Sequence, residues 1–249
     1  MDKLLESELT LKTQFAVTSA DTDMFGRLKL SGLVNFLVQS AIFSADKLGF
    51  GLKFLRQEKL LWVLSRFDVY IEKQLNWYDV VEVETWPKTV DGIVYVRDFI
   101  VRDLNKNIIA KATSGWLAID IVRRRPKVIS GIISEVFYAL KNKNAVEKMP
   151  LKIKSIDGGE EKEIITTFFD IDLNRHVTTT RYIDWMMDCF SIDFHKENYP
   201  KKLSINFLKE TMPEEKLNIS NNKITEKQFH FEGINLSSNK KAFRGEIDF

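Results

Sequence analysis

The chain repeats one order of segments twice, and this duplication constrains the fold more than any other feature of the sequence. Each copy reads as a strand, a short acidic turn, a helix and then several strands. The turns read "DTDMFGRL" at 21–28 and "DIDLNRHV" at 170–177, with the same start, the same spacing and similar apolar positions. After each helix, "VLSRF" at 63–67 resembles "KLSIN" at 202–206. The repeat predicts two similar structural units in one chain.

The first copy predicts one buried helix wrapped by long antiparallel strands. Residues 30–48 carry apolar and small residues at the three-and-four spacing of a helix, and the stripe consists of Leu33, Phe36, Leu37, Ser40, Ala41, Ser44 and Leu48. The opposite side is apolar as well, and a helix that is apolar all round is usually buried. Strands rich in Val, Ile and aromatic residues follow, separated by turn residues, at 60–73, 79–86, 93–103 and 108–120.

A change of composition separates the two copies. Residues 123–163 are charged, contain two prolines and end near Gly158-Gly159, which is typical of a linker, with a short helix around 131–141. The second copy then predicts a strand over 163–169, a helical stripe within 178–195 and four strands at 203–210, 216–220, 227–233 and 242–249. We therefore expect an α+β fold with an N-terminal domain at 1–128, a linker at 129–160 and a C-terminal domain at 161–249.

Composition and charge exclude several classes of protein. The chain has 249 residues, 18 Phe and 5 Trp, enough for a sizeable core. Its one cysteine, Cys189, allows no internal disulfide, which fits a reducing compartment. A net charge of +2 argues against a nucleic-acid binder. Without a signal-peptide pattern or an apolar run long enough to span a bilayer, we expect a cytoplasmic location and no membrane partner.

The two acidic turns differ in the residues that could carry chemistry. An Asp-x-Asn run before a helix is most often a turn and cap, and both copies keep their acids, of which Asp21 and Asp170 are interpreted as structural. Only the second copy has Asn174 and His176, where the first has Phe25 and Arg27. The second copy is therefore predicted to hold the chemistry. The first is predicted to form a binding cavity lined by Met24, Phe36, Leu37 and Trp62.

The chain resembles the acyl-ACP thioesterase family along nearly its whole length. The resemblance is carried by "DIDLNRHV", "RYIDW" and "NFLKE" in the second half and by "LVNFLVQSA", "LLWVLSRFDVYIEKQLNWYDVVEVETW", "RDFIVRD" and "KATSGWLAIDIVRRRPKVI" in the first. It implies a tandem (double) hot-dog fold and hydrolysis of acyl-[acyl carrier protein] in fatty acid biosynthesis by a bacterial member. It also implies no metal or organic cofactor, acyl carrier protein as partner, and the catalytic residues Asp172, Asn174, His176 and Glu210.

The resemblance also suggests roles for those residues and shows two departures. Asp172 would be the nucleophile or base, Asn174 and His176 would position the groups, and Glu210 would orient water, with the helix N-terminus polarising the thioester carbonyl. Which carboxylate attacks stays open. Thr178–Thr180 stand where the family has Asn-Asn, and their hydroxyls could cap the helix. Thr211 stands where many relatives have cysteine. The first-copy counterpart of Glu210 is placed near Ile71 or Glu72.

Other functions remain open from the sequence. An acyl-CoA thioesterase, a non-catalytic acyl-thioester-binding module and a hydratase of the same fold are the alternatives. The basic string "RRRPK" at 123–127 could contact the acidic surface of the carrier protein or its phosphate, although a solvated segment is the commoner meaning of such a string. Both a monomer and a homodimer are compatible with the pattern, and no metal-ligand spacing is present.

Overall fold

A computed structural model of the chain describes residues 5–129, 132–155 and 158–249. The strands are β1 (Leu11–Ala16), β2 (Leu60–Ile71), β3 (Val80–Asp91), β4 (Val94–Asp103), β5 (Ile108–Asp120), β6 (Arg125–Pro126), β7 (Glu160–Ile165), β8 (Lys202–Phe207), β9 (Lys216–Lys223), β10 (Gln228–Asn235) and β11 (Lys240–Asp248). The helices are α1 (Glu6–Leu9), α2 (Leu30–Lys47), α3 (Leu52–Glu58), α4 (Ile132–Ala139), α5 (Thr179–Met187) and α6 (Ile192–Glu197). Short 3₁₀ turns occupy Ser19–Asp21 and Phe168–Asp170.

The strands form one antiparallel sheet that shows the duplication directly. Its order is β1-β3-β4-β5-β2-β8-β11-β10-β9-β7, with β6 paired to β5. From the centre outward, the first half runs β2-β5-β4-β3-β1 and the second half runs β8-β11-β10-β9-β7, so the two halves have the same strand order. The halves join where β2 pairs with β8, and Asp68 lies opposite Ser204 there. The predicted α+β fold, with two hot-dog units in tandem, is confirmed.

The two central helices pack against the inner face of this sheet and against each other, but they differ in length. Helix α2 buries the apolar stripe seen in the sequence, whereas Ile42 and Phe43 near its C-terminal end are exposed. The expectation of a helix buried all round is therefore wrong at that end. In the second copy the helix predicted within 178–195 is broken, because the Ser191 hydroxyl accepts a hydrogen bond from the Phe194 N–H and begins α6. In the part of the chain described, no helix is long and apolar enough to cross a membrane.

The strand predicted over 163–169 begins and ends earlier in the chain than expected. Strand β7 ends at Ile165, and the 3₁₀ turn Phe168–Asp170 follows it. The Asp170 carboxylate accepts hydrogen bonds from the N–H and the hydroxyl of Thr167, at 2.7 and 2.9 Å. These local bonds stabilise a turn in place of further strand.

The segment between the copies is ordered against the sheet rather than free in solvent. Helix α4 lies at the predicted place and adds Ile133, Val136 and Phe137 to the core at one end of the first unit. The residues after α4 cross the outer face of both halves. The Ala145 N–H donates to Asp98 on β4 (2.9 Å), and the Ile153 N–H donates to Asn206 on β8 (2.7 Å). This linker therefore covers the junction of the two units.

Candidate active site

A cleft of about 380 Å³ lies where β2 and β8 diverge. The two strands pair only over 66–70 and 202–206, so the first residues of β2 and the chain after β8 form opposite walls. The four residues predicted to be catalytic all line this cleft, together with Thr179 at the start of α5. The fold thus brings together in space what is far apart in sequence.

The acidic turn is held closed by one oxygen of Asp172. Its Oδ1 accepts a hydrogen bond from the Asn174 N–H at 2.7 Å, and its own N–H donates to the His176 carbonyl at 2.8 Å. Arg175, between them, has a φ of 66°, as tight turns require. The other oxygen, Oδ2, has no hydrogen-bond or ion-pair partner among the described residues. One half of this carboxylate therefore maintains the loop, and the other is available in the cleft.

His176 and Glu210 lie side by side in the cleft. The His176 Nε2 lies 3.3 Å from Glu210 Oε2, and both side chains are partly exposed. The guanidinium of Arg124, from the β5–β6 hairpin of the first unit, lies 3.6 Å from the same oxygen. The backbone fixes this geometry, because Val177 bridges to Ile171 and its N–H donates to the Thr211 carbonyl at 2.9 Å. An imidazole beside a carboxylate can take and return a proton.

Helix α5 begins at the edge of this cleft. Thr178 is its N-cap residue, but the hydroxyl makes no capping hydrogen bond, so the predicted side-chain cap is absent at this residue. The chain is held at the start of α5 instead by the Thr178 N–H, which donates to the Asp170 carbonyl at 2.8 Å. Burial alone would raise the pKa of Asp170, but bonds from Thr167 and Arg181 hold that pKa below its usual value. The first N–H groups of α5 have no intrahelical acceptor and carry partial positive charge beside the cleft.

The first copy builds the same turn and uses it differently. Asp23 Oδ1 accepts from the N–H groups of Phe25 and Arg27, at 2.8 and 3.0 Å. Arg27 replaces the histidine, and its guanidinium lies 2.7 Å from Asp23 Oδ2. It also donates to the His195 carbonyl of the second unit at 2.9 Å. The first-copy equivalent of the turn at Asp172 is thus a clamp between the units, and Asp172 and Asp23 share one structural task.

The counterpart of Glu210 in the first copy is Gln74, which corrects the placement near Ile71 or Glu72. Leu28 donates to the Leu75 carbonyl as Val177 donates to that of Thr211. The residues just before also correspond: the N–H groups of residues 72 and 73 share one carbonyl, as do those of residues 208 and 209. Aligning "VLSRF" with "KLSIN" matches Ser65 to Ser204 and leads to the placement near Ile71, whereas β2 and β8 pair with Asp68 opposite Ser204. The first copy therefore lacks both the histidine and the carboxylate.

The predicted acyl-binding residues separate into three groups. Trp62 lines the cleft and also an adjoining cavity of about 60 Å³ inside the first unit. Phe36 and Leu37 are buried in the main core, where Phe36 stacks on Phe15 with ring centroids 4.6 Å apart. Met24 is 72% exposed on the turn and faces a different surface cleft. Its assignment to a tunnel was wrong, because the turn projects away from the helix–sheet interior.

Two residues near the site were missed from the sequence, and other candidates carry little chemistry. Arg124 was seen only as part of a basic string, and Arg97, on the inner face of β4, lines the cavity beside Trp62. The apolar alternation of "VYVRDF" could have revealed an arginine at an inward position.

Burial raises the pKa of Cys189 to about 11, so this thiol is not a thiolate nucleophile at neutral pH. Within residues 5–129, 132–155 and 158–249, no cluster of three metal-binding side chains occurs.

Comparison with known families and proteins gives a consistent result. The family model for the acyl-ACP thioesterase N-terminal domain matches residues 8–137, and the model for the acyl-ACP thioesterase C-terminal domain matches residues 153–249. A chloroplastic palmitoyl-acyl carrier protein thioesterase of Arabidopsis thaliana is 23% identical over 223 residues, covering 84% of this chain and 54% of the relative. The chloroplastic oleoyl-acyl carrier protein thioesterase 2 of the same plant is 24% identical, covering 84% of this chain and 61% of the relative. The chain therefore spans little more than half the length of these relatives.

Solved structures extend the comparison to the whole fold. An acyl-ACP thioesterase from Bacteroides thetaiotaomicron superimposes with a TM-score of 0.91 at 26% identity, over 99% of this chain and 100% of that one. The 12:0-ACP thioesterase from Umbellularia californica superimposes with a TM-score of 0.83 at 19% identity, over 96% of each chain. The second likeness shows the shared fold alone.

Proposed function

Because the chain belongs to the acyl-ACP thioesterase family, we propose that it hydrolyses acyl-[acyl carrier protein] to a free fatty acid and the carrier protein. The observation that supports this most strongly is the His176–Glu210 pair, 3.3 Å apart beside the N-terminus of α5. The equivalent positions in the first copy hold Arg27 and Gln74, which cannot act together as a general acid and base. We further propose a role in fatty acid synthesis in a bacterial cytoplasm, which the bacterial relative and the single free cysteine support.

Each group of the cleft is assigned one part of the hydrolysis reaction. The thioester carbonyl accepts hydrogen bonds from the N-terminal N–H groups of α5 and from the Asn174 amide. His176, oriented by Glu210, takes a proton from water as the water oxygen bonds to the carbonyl carbon. When the carbon–sulfur bond breaks, His176 returns that proton to the departing thiolate. One water is consumed, and a carboxylic acid and a thiol are formed.

Asp172 offers a second route for the attacking oxygen. Its Oδ2 could bond to the carbonyl carbon, expel the thiolate and form a mixed anhydride that water then hydrolyses. The Oδ1 bond to the turn keeps the carboxylate in place for this step. A single turnover in ¹⁸O-labelled water detects the mixed anhydride when water attacks its Asp172 carboxyl carbon, because the label then remains in the peptide that contains Asp172. Direct water attack on the thioester, like water attack on the acyl carbon of the anhydride, leaves that peptide unlabelled.

The carrier protein is proposed to dock at the β5–β6 hairpin. Residues 121–128 are exposed there, and Arg124 reaches the catalytic glutamate from this hairpin. Three arginines and Lys127 form a basic rim beside the cleft, suited to an acidic protein or to the phosphate of its pantetheine arm. Arg123→Glu should raise KM for acyl-ACP and leave kcat/KM for a short acyl-cysteamine thioester unchanged. An equal effect on both substrates would contradict docking at this rim.

Hydrolysis assays test the proposal as a whole. Wild-type protein should release free fatty acid from some members of a panel of acyl-ACPs of graded chain length. His176→Ala should lose a hundredfold or more in kcat with its fold intact. Parallel assays with acyl-CoA test the alternative of an acyl-CoA thioesterase, and assays with enoyl thioesters test the alternative of a hydratase. Inactivity of the wild type on every thioester, with retained binding, would favour the non-catalytic acyl-binding module.

A further inference from the structure

Arg124 and Glu210 form an ion pair that crosses the cleft from one unit to the other. Arg124 belongs to the β5–β6 hairpin of the first unit, and its guanidinium lies 3.6 Å from Glu210 Oε2. The same oxygen lies 3.3 Å from Nε2 of His176. The exposed fraction of the side chains falls from 77% for Arg124 to 39% for Glu210 and 22% for His176. The three groups therefore run from solvent into the cleft, with the arginine outermost.

The hairpin holds Arg124 in a backbone conformation that an arginine does not favour. Its φ is 52°, in the left-handed region where glycine and asparagine are the usual residues. The Arg124 N–H donates to the Asp120 carbonyl at 2.8 Å. Asp120 Oδ1 accepts from the N–H groups of Val122 and Arg123, at 2.9 and 2.8 Å, so the turn is fixed. A long side chain kept at a strained position beside reactive groups points to a functional role.

In this arrangement Arg124 opposes the proton transfer that the proposed mechanism requires. When His176 takes a proton from water, the negative charge of Glu210 stabilises the imidazolium that forms. A guanidinium at the same carboxylate oxygen shares that negative charge and repels a second cation. Moving the guanidinium away from Glu210 should therefore speed the step.

The contact between Arg124 and Glu210 is of a kind that exchanges readily. Lys88 and Asp98, on the outer face of the sheet, lie 3.0 Å apart with both side chains buried, and breaking such a pair is costly. The pair across the cleft is longer and open to solvent, and exposed ion pairs contribute little. A phosphate offers arginine a stronger, bidentate contact. Because the pantetheine arm separates its phosphate from the thioester by a long chain, an arginine that binds the phosphate leaves Glu210.

We propose that Arg124 is a positioning residue that restrains Glu210 in the free enzyme and releases it when the phosphate of the carrier's pantetheine arm binds at the hairpin. This inference rests on the proposed thioesterase function. Until that phosphate arrives, part of the charge of Glu210 is held by the guanidinium. Once Arg124 has moved to the phosphate, the whole charge is available to His176. Hydrolysis is then faster on thioesters that carry the phosphate of the arm.

The test compares an acyl-pantetheine thioester with the same thioester of 4′-phosphopantetheine, which differ by one phosphate. Wild type should have a kcat about threefold to fivefold higher on the phosphorylated substrate, the effect of one exposed ion pair. Arg124→Gly should raise kcat on the unphosphorylated substrate to the same value and raise KM for the phosphorylated one. Because glycine suits the left-handed φ, the melting temperature of this variant should not fall below that of wild type.

Lys106→Gly is the matched control. Lys106 has a φ of 68° on the β4–β5 hairpin, and its ammonium lies 3.5 Å from Glu82, so this change also removes an exposed cation from a strained turn. Both kcat and KM should stay at their wild-type values on the two substrates. Arg124→Lys, which keeps the charge, should keep the low kcat on acyl-pantetheine.

Two simpler roles of Arg124 would give different kinetics. If Arg124 only binds the phosphate, Arg124→Gly raises KM for the phosphorylated substrate and leaves kcat on acyl-pantetheine unchanged. If Arg124 only supports Glu210, kcat falls on both substrates. Either result would overturn the inference, as would hydrolysis of acyl-ACP with the low kcat of the unphosphorylated arm.

Failure of the proposed function is distinguishable from failure of this inference. If wild type cleaves no thioester, the NMR signal of the His176 ring still reports on the neighbouring Glu210 carboxylate. Addition of 4′-phosphopantetheine should shift this signal in wild type and not in Arg124→Gly. An unshifted wild-type signal at millimolar 4′-phosphopantetheine would show that Arg124 does not exchange Glu210 for the phosphate.

Discussion

Replacing Asp68 by asparagine should make the protein more stable at neutral pH. Asp68 lies at the junction of the two units, opposite Ser204 on β8, and is 8% exposed. Burial raises its pKa from 3.8 to about 6, opposed only partly by the Ser204 hydroxyl and by Lys202. At pH 7 the folded protein therefore carries a carboxylate that its surroundings disfavour. An asparagine keeps the shape and a hydrogen-bonding oxygen without the charge.

The size of the effect follows from the pKa difference. A raised pKa means that the folded state binds the proton more tightly than the unfolded state. The stabilisation from the neutral carboxyl is thus complete below about pH 4 and is lost as pH rises through 6. A change of about two pKa units sets a ceiling of about 3 kcal/mol in the free energy of unfolding. The gain of Asp68→Asn should approach that ceiling at pH 7 and vanish near pH 4.

Urea unfolding of wild type and Asp68→Asn between pH 4 and pH 8 measures this directly. Asp103→Asn is the control of opposite sign, because hydrogen bonds from the Asn107 side chain and N–H lower the pKa of that exposed carboxylate. It should lose stability at neutral pH. A free energy of unfolding for Asp68→Asn at or below that of wild type at pH 7 would show that the folded protein does not disfavour the Asp68 carboxylate.

Three further perturbations follow from contacts described above. Arg27→Ala should lower the free energy of unfolding by about 2 kcal/mol through loss of the clamp to the second unit, with kcat unchanged, and an unaltered melting temperature would contradict the clamp. Asp98→Ala leaves Lys88 buried and unpaired and should cost about 3–5 kcal/mol in urea unfolding, whereas a loss below about 1 kcal/mol would show that this buried pair contributes little. Iodoacetamide should alkylate Cys189 at pH 8 about a hundredfold more slowly than a free cysteine, because little thiolate is present at a pKa of about 11, and rapid alkylation would show that the thiol is accessible and ionised.

Much of the fold could be predicted because the duplication repeats local signals. The strands after each helix and the helix at α4 follow from alternation and turn residues. The break before α6 was missed because Ser191 acts through a hydrogen bond to Phe194, which apolar spacing does not reveal. The match of Glu210 with Gln74 depends on backbone pairing across the sheet, and the sequence carries no mark of that register.

The candidate site was only partly predictable, for the same reason. The four residues of the cleft were identified by comparing the copies and by family resemblance, and the structure places them along one cleft. Met24 was misplaced because the residue type alone does not show whether an apolar side chain lies in a turn or in the core. The environment of Arg97 arises from three elements, and no local pattern shows that Ser44 and Thr85 converge on it.

We propose that the second copy carries the chemistry and that the first carries structure. The most direct measurement is the rate of free fatty acid release from acyl-ACP by Glu210→Gln and by Gln74→Ala, two changes at equivalent positions. We expect kcat to fall a hundredfold or more in Glu210→Gln, with its melting temperature unchanged, and to stay within about twofold of wild type in Gln74→Ala. Equal rates in the two variants, or a larger loss in Gln74→Ala, would contradict it.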